Sequence, residues 1–359
     1  MFYAQSVKDY PSADSFTAVL YDAKRQQLYL SAQDHIDVFS LTSNQFVSPL
    51  TPQAQGGQKQ FAGLALTPDG SLLLAADLLD GSLAVMNPDS PSNSYVIPIA
   101  AVTTGNSFGN TGCKIGPMYV AATINQQAYV VTGSLPQVNN CGPGGTLYQV
   151  NLAAKSAAVL SSICSGGGNV VSSHDGGLVV FGENPQGYGA FCTYNVSQNA
   201  YNIAGDYRAS AAISGDGNIT SSQWTFMDPM ANVAGWVAQP TVYYPTIPTP
   251  GDSAYSPLLL QPQLNDSGSL YYLSTPRCVD IVDVQHGLLR MRFSLSETVA
   301  NTASPLAIDS GGRHMYLITD KGLTIVDLGA ALLSIGHVSR AWHRRARRLQ
   351  FAAAASALA

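Results

Sequence analysis

Short apolar stretches alternate with polar turns along nearly the whole chain, and the pattern repeats. The phrase from Pro305 to Leu328, PLAIDSGGRHMYLITDKGLTIVDL, has a near-copy some 44 residues upstream, LLLQPQLNDSGSLYYLSTPRCVDIVDV. Each copy reads as an apolar strand, a polar turn, an apolar or aromatic strand, a short polar loop and a third alternating strand ending at Asp or Asn. The turns DAKRQQ (22–27), TPDGS (67–71), INQQ (124–127), SHDGG (173–177), SGDGN (214–218), NDSGS (265–269) and DSGGR (309–313) make seven such units.

The turns recur roughly every 50 residues, the length of a four-stranded propeller blade. Second strands follow as LYL, LLLAA, AYVVT, LVVFG, LYYLST and MYLIT, with ITSSQW of the fifth unit the weakest. Third strands read IDVFSL (36–41), LAVMN (83–87), LYQVN (147–151), CTYNV (192–196), VDIVDV (279–284) and LTIVDL (323–328). Outer strands read NQFVSPL, SYVIPIA, SAAVLSSI, NAYNIAGD and LRMRFSLSE. A blade exposes apolar faces on both sides, so one repeat cannot bury itself but a ring can. The sequence therefore predicts an all-β protein, a seven-bladed β-propeller of four-stranded antiparallel blades over residues 1–339. The N-terminal stretch FYAQSVKD (2–9) is expected to close the last blade beside LTIVDL, in competition with ALLSIGHVS (331–339).

Composition agrees with this pattern. Only 11% of residues are charged, Gly numbers 33 and Pro 20, and the 18 Tyr outnumber Lys, a palette of turns and short strands. The net charge of −5 conceals an asymmetry, because residues 340–359 hold five Arg and no acid while the rest is strongly acidic. An acidic body argues against nucleic acid as a partner. The Ala/Arg-rich tail, 340–359, reads as disordered or helical. No apolar run is long enough for a transmembrane segment. The start MFYAQSVKDYPSADS lacks a basic region followed by an apolar core, so it carries no secretory signal.

Four of the five cysteines, Cys113, Cys141, Cys164 and Cys192, crowd into one third of the chain. Their preferred pairing is Cys113 with Cys141 and Cys164 with Cys192, since each bond closes a loop near a hairpin; buried free thiols are the alternative. No CxxC pair occurs, no His lies at ligand spacing from another His or a Cys, and Asp77 with Asp80 misses the EF-hand spacing, so neither metal nor cofactor is expected. A GxSxG elbow and a GK[ST] phosphate loop are absent too.

TPDGSLLLAADLLDGSLAVMNPDS (67–90), together with AIDSGGRHMYLITDKGLTIVDL, resembles the YVTN-type repeats of bacterial seven-bladed propellers over nearly all of residues 16–330. That superfamily holds lactonase-like enzymes and non-catalytic propellers of secreted or cell-surface proteins, and this chain looks closer to the second kind. The resemblance implies a binding scaffold for protein or glycan, extracellular, periplasmic or at the cell surface; the alternative function is a lactonase-like hydrolase using the central channel mouth, the alternative location is the cytoplasm, and a monomer is expected. Ligands of propellers generally occupy the concave mouth of the central channel. Loops that enter inner strands or join middle strands put Asp34, Lys59, Asp77, Glu183, Arg208, Tyr255, Arg277 and Lys321 forward as ligand-binding candidates. No catalytic residue is nominated.

Overall fold

The computed structural model describes residues 6–52, 56, 58–104, 114–134, 145–160, 164, 167–183, 191–204, 211–222, 225–236 and 262–329. These form seven antiparallel sheets, one per blade, and contain no helix. Blade 1 runs through Ala18–Asp22, Gln27–Ser31, Ile36–Ser40 and Gln45–Leu50, from the channel to the rim. Blade 2 follows as Phe61–Leu66, Leu73–Asp77, Ser82–Asn87 and Ser90–Pro98. Blade 3 is Lys114–Ala122, Gln127–Gly133, Leu147–Asn151 and Ser156–Val159, and blade 4 is Gly167–Ser172, Leu178–Glu183, Phe191–Asn195 and Ala200–Ala204. Blade 5 has the short strands Ala211–Ile213, Thr220–Ser222, Thr225–Met227 and Val233–Trp236. Blade 6 is Gln263–Leu264, Leu270–Ser274, Cys278–Asp283 and Leu288–Ser294.

Blade 7 takes three strands from one end of the chain, Leu306–Ile308, His314–Thr319 and Gly322–Asp327, and its outer strand, Ser6–Pro11, from the other. Ser6 pairs with Asp327, Tyr10 with Leu323 and Pro11 with Gly322. This arrangement leaves no open edge between first and last blades. The competing stretch 331–339 and the basic tail 340–359 lie outside the described residues. One feature was not anticipated: Thr103–Thr104 adds a two-residue strand to blade 3. It pairs with Ile115 and Lys114, just beyond Gly116, where the second strand of that blade stops.

Why the middle strands are apolar on both faces follows from the ring. Leu73–Asp77 and Leu270–Ser274 are buried at every position, because a neighbouring blade covers each face. Rim strands such as Ser156–Val159 are largely exposed. The seven seams between blades each hold a separate apolar cluster. Aromatic pairs reinforce several of them, with Tyr129 edge-on to Phe181 at 5.6 Å between blades 3 and 4, and Phe226 edge-on to Tyr271 at 5.2 Å between blades 5 and 6. Among the described residues the smallest seam cluster, Val180, Phe191, Ala211, Met227 and Ala231, joins blade 5 to blade 4.

The first turn of each blade explains the repeated spelling. In TPDGS the Thr67 hydroxyl donates to Asp69 at 2.6 Å and accepts from the Leu72 N–H at 3.0 Å, closing a five-residue loop. Ser173 does the same with Asp175 and Leu178, and Ser214 with Asp216 and Ile219. Asn265 serves blade 6 by accepting from the Leu270 N–H at 3.0 Å. In DSGGR of blade 7, Gly312 adopts φ +71° and its carbonyl accepts from the buried Tyr272 hydroxyl of blade 6 at 2.5 Å.

Candidate functional site

Two mouths result from this chain path. Connectors entering the inner strands and loops joining the second and third strands lie at one, here the connector mouth. The first turns of all blades lie at the other, the turn mouth. Near the connector mouth the channel is crossed by packing: Ala62 of blade 2 and Met118 of blade 3 meet Ala303 from the connector into blade 7, all three buried. Hydroxyls brace the same level, since Thr17 donates to the Phe61 carbonyl at 2.5 Å and Ser31 to the Ala62 carbonyl at 2.7 Å.

Beyond this constriction a cavity of about 430 Å³ is lined by residues of all seven inner strands or their adjoining turns. Its wall is mostly apolar, with Val19, Leu64, Ala121, Val170 and Ile213 among the lining residues. Tyr119 also lines it, and burial pushes its phenol up to about 12. The rim carries the polar chemistry: Tyr21, Lys24, Asp69, Ser173, His174, Asp266 and Ser310.

Most rim groups are held by neighbours. Asp69 accepts from Thr67 and from the Ser71 N–H and hydroxyl, which pull its carboxyl down to about 2. Lys24 donates to the Asp69 carbonyl at 3.4 Å, linking blades 1 and 2. His174 Nδ1 lies 3.3 Å from Asp266 Oδ1, a link from blade 4 to blade 6 that passes over blade 5. That reach depends on Gly215, because a Cβ there would stand 2.6 Å from Asp266 Oδ1 and 2.8 Å from His174 Nδ1. Asp266 raises the pKa of His174, whose side chain is 68% exposed and so faces solvent at the mouth. Tyr21 stacks on Tyr316 at 5.5 Å, and burial raises its pKa.

Of the residues nominated from sequence, the five with described side chains, Asp34, Lys59, Asp77, Arg277 and Lys321, are not among those lining this cavity. Arg208 and Tyr255 lie outside the described residues, as does the side chain of Glu183. Asp34, Lys59 and Asp77 gather in the sector of blades 1 and 2 at the connector mouth, where the His35 hydrogen bond lowers the pKa of Asp34 and Lys59 donates its ammonium to the Pro52 carbonyl at 2.9 Å. Asp77 is buried, and its Oδ1 accepts from the Gln60, Leu79 and Asp80 N–H groups. Arg277 and Lys321 belong to a second sector, blades 6 and 7, where the Arg277 carbonyl accepts from Leu295 N–H at 2.9 Å. Cys164 and Cys192 form a disulfide from the connector into blade 4 to the third strand of that blade; Cys113 and Cys141 lie outside the described residues.

His174 and Asp266 were legible only as turn residues of SHDGG and NDSGS. Nothing local says that two turns from non-adjacent blades converge. The signal that was available is positional: each is the residue after the hydroxyl or amide that closes its turn, which aims it inward on the ring.

No family model matches the chain, and neither does the sequence of any curated protein. Solved structures do match. The chain is similar to one in the crystal structure of a mitotic checkpoint complex, at 12% identity with a TM-score of 0.61, over 91% of this chain and 93% of that one. It is also similar to hydrazine synthase of Kuenenia stuttgartiensis, at 12% identity with a TM-score of 0.60, over 90% of this chain and 99% of that one. At such identity the likeness shows the fold alone: the chain is a seven-bladed β-propeller.

Proposed function

We propose that this protein is a non-catalytic binding propeller of the YVTN-repeat kind, secreted or displayed at a cell surface, that takes a protein side chain or a sugar into the cavity at its turn mouth. The observation that carries the reading is the cavity itself, about 430 Å³ with an apolar wall and a rim of Tyr21, Asp69, His174 and Asp266. An apolar bowl with a few placed polar groups is the usual form of a site for a small ligand or an anchoring side chain. The Cys164–Cys192 bond supports an oxidising compartment. That a similar propeller chain belongs to a mitotic checkpoint complex supports the use of such a ring as an interaction scaffold.

The test is a screen of glycan and peptide arrays with the wild type and with Ile213→Trp, which fills the cavity. Ligands lost in the variant support the reading, and ligands held equally by both place recognition elsewhere. A lactonase-like hydrolase is the second reading. It rests on the imidazole–carboxylate pair His174–Asp266 at the cavity rim, the kind of pair that positions a general base. Hydrolysis of gluconolactone no faster than in buffer removes it.

A further inference from the structure

At the connector mouth, beside the segment that closes the ring, one imidazole is ringed by three carboxylates. His35, in the loop between the second and third strands of blade 1, has Nδ1 at 2.8 Å from Asp34 Oδ1. Its Nε2 lies 3.1 Å from Asp37 Oδ1 and 3.7 Å from Asp14 Oδ2. When Nδ1–H donates to Asp34, a neutral imidazole presents only a lone pair at Nε2. That lone pair then faces two more acceptors, an arrangement that calls for positive charge between them.

The geometry matches such a charge. The donor atoms of Asp14, His35 and Asp37 lie within 4.8 Å of one another. Ligands of tetrahedral zinc with bonds of about 2.0–2.1 Å stand roughly 3.3 Å apart, and the separations of 3.1 and 3.7 Å bracket that spacing. The side chain of Asp37 is 15% exposed and that of His35 22%, whereas Asp14 is 46% exposed, so one side remains open to water.

We propose that Asp14, His35 and Asp37 form a site for a divalent transition ion of the zinc class, with Asp34 orienting the imidazole from outside the coordination shell. An imidazole with two carboxylates suits zinc, manganese or cobalt, whereas calcium and magnesium take oxygen ligands throughout. The carboxylate behind the histidine fixes its tautomer and strengthens the metal bond. Position gives the ion a role. Asp14 lies between Ser6–Pro11, the outer strand of blade 7, and Ala18–Asp22, the inner strand of blade 1. His35 and Asp37 belong to blade 1. A bound ion therefore pins the linker that leads from the outer strand of blade 7 into blade 1 against the loop between the second and third strands of blade 1.

The experiment uses the full chain, stripped with chelator and titrated at pH 7.5 with Zn²⁺, Mn²⁺ and Ca²⁺, reading ion stoichiometry by calorimetry and stability by Tm. Expected are one zinc ion bound per chain and a Tm higher by a few degrees in excess ion. His35→Gln removes both effects, Asp34→Asn weakens zinc binding about 10- to 100-fold, and the exposed His286→Gln leaves them intact. Circular dichroism establishes that each variant folds, and Asp34→Asn, which retains all three ligands, carries the test if His35→Gln does not. No zinc uptake by the wild type, equal uptake by His35→Gln, or Ca²⁺ binding as tightly as Zn²⁺ overturns the proposal; the first of these leaves an imidazolium as the resident cation.

Discussion

At the turn mouth, Thr67, Ser173, Ser214 and Asn265 close their blades through one device, a side-chain acceptor for the N–H five residues on. At the connector mouth the described sectors differ from one another: that of blades 1 and 2 holds the His35 cluster and the buried Asp77, and that of blade 4 the Cys164–Cys192 bond. The turn mouth is set by what the repeats share, and the connector mouth by what each blade adds. In these four blades the shared turn spreads the stability of the rim over like hydrogen bonds. Dissimilar connectors place stability in a few particular groups, and that is also where chemistry specific to this chain collects.

The largest effect expected from this contrast is at the connector mouth. The Cys164–Cys192 bond closes a loop of sequence separation 28, for which the chain-entropy argument gives about 3–4 kcal/mol. The double variant Cys164→Ser with Cys192→Ser should unfold at lower denaturant than the oxidised wild type, with the difference removed by reductant. Equal midpoints for both proteins without reductant would sink the idea that this connector depends on its cross-link.

Next is Gly312, where the turn rim touches a neighbouring blade. A Cβ there would meet the Tyr272 hydroxyl and stand 3.1 Å from Asn265 Cβ, on a backbone at φ +71°. Left-handed strain of about 1 kcal/mol and overpacking of about 1–3 kcal/mol add for Gly312→Ala. Gly215→Ala should cost much less, since the atoms its Cβ meets are the movable ends of Asp266 and His174. Equal costs from denaturant melts would show that the rim yields as a unit. A smaller loss, about 1–2 kcal/mol, is expected of Ser214→Ala, which strands the Ile219 N–H in a buried turn.

These sizes bear on how much was readable in advance. Six of seven blades were plain from alternating apolar runs because their middle strands are sandwiched between neighbours. Blade 5 was faint for a physical reason: its second strand, Thr220–Ser222, is buried yet built of hydroxyl residues, with Thr220 donating to the Met227 carbonyl. The closing strand was visible because Val7 and Tyr10 fit a strand beside Leu323 and Val326. The site was less legible. Alternation says which face of a strand is buried, but it cannot say that Met118 crosses the channel to Ala303 and leaves the cavity at the other end. Nor does His–His or His–Cys spacing register a lone His35 whose carboxylate neighbours are Asp37, two residues on, and Asp14, from another segment.

Asp77 separates the two kinds of connector residue, structural and ligand-facing. It is 1% exposed, three backbone N–H groups converge on its Oδ1, and its Oδ2 has no partner. Burial prevails over the three bonds and raises its pKa. The folded protein therefore holds this proton to higher pH than the unfolded chain does, and stability tied to it rises as pH falls from the raised folded value toward the ordinary carboxylate range. Asp77→Asn has no such proton to gain. Wild type should thus improve relative to Asp77→Asn when unfolding free energies are compared at pH 7 and again near pH 4. The opposite trend would mean that the carboxylate is stabilised in place, by its backbone donors or by a cation at Oδ2, and would support Asp77 as a binding residue.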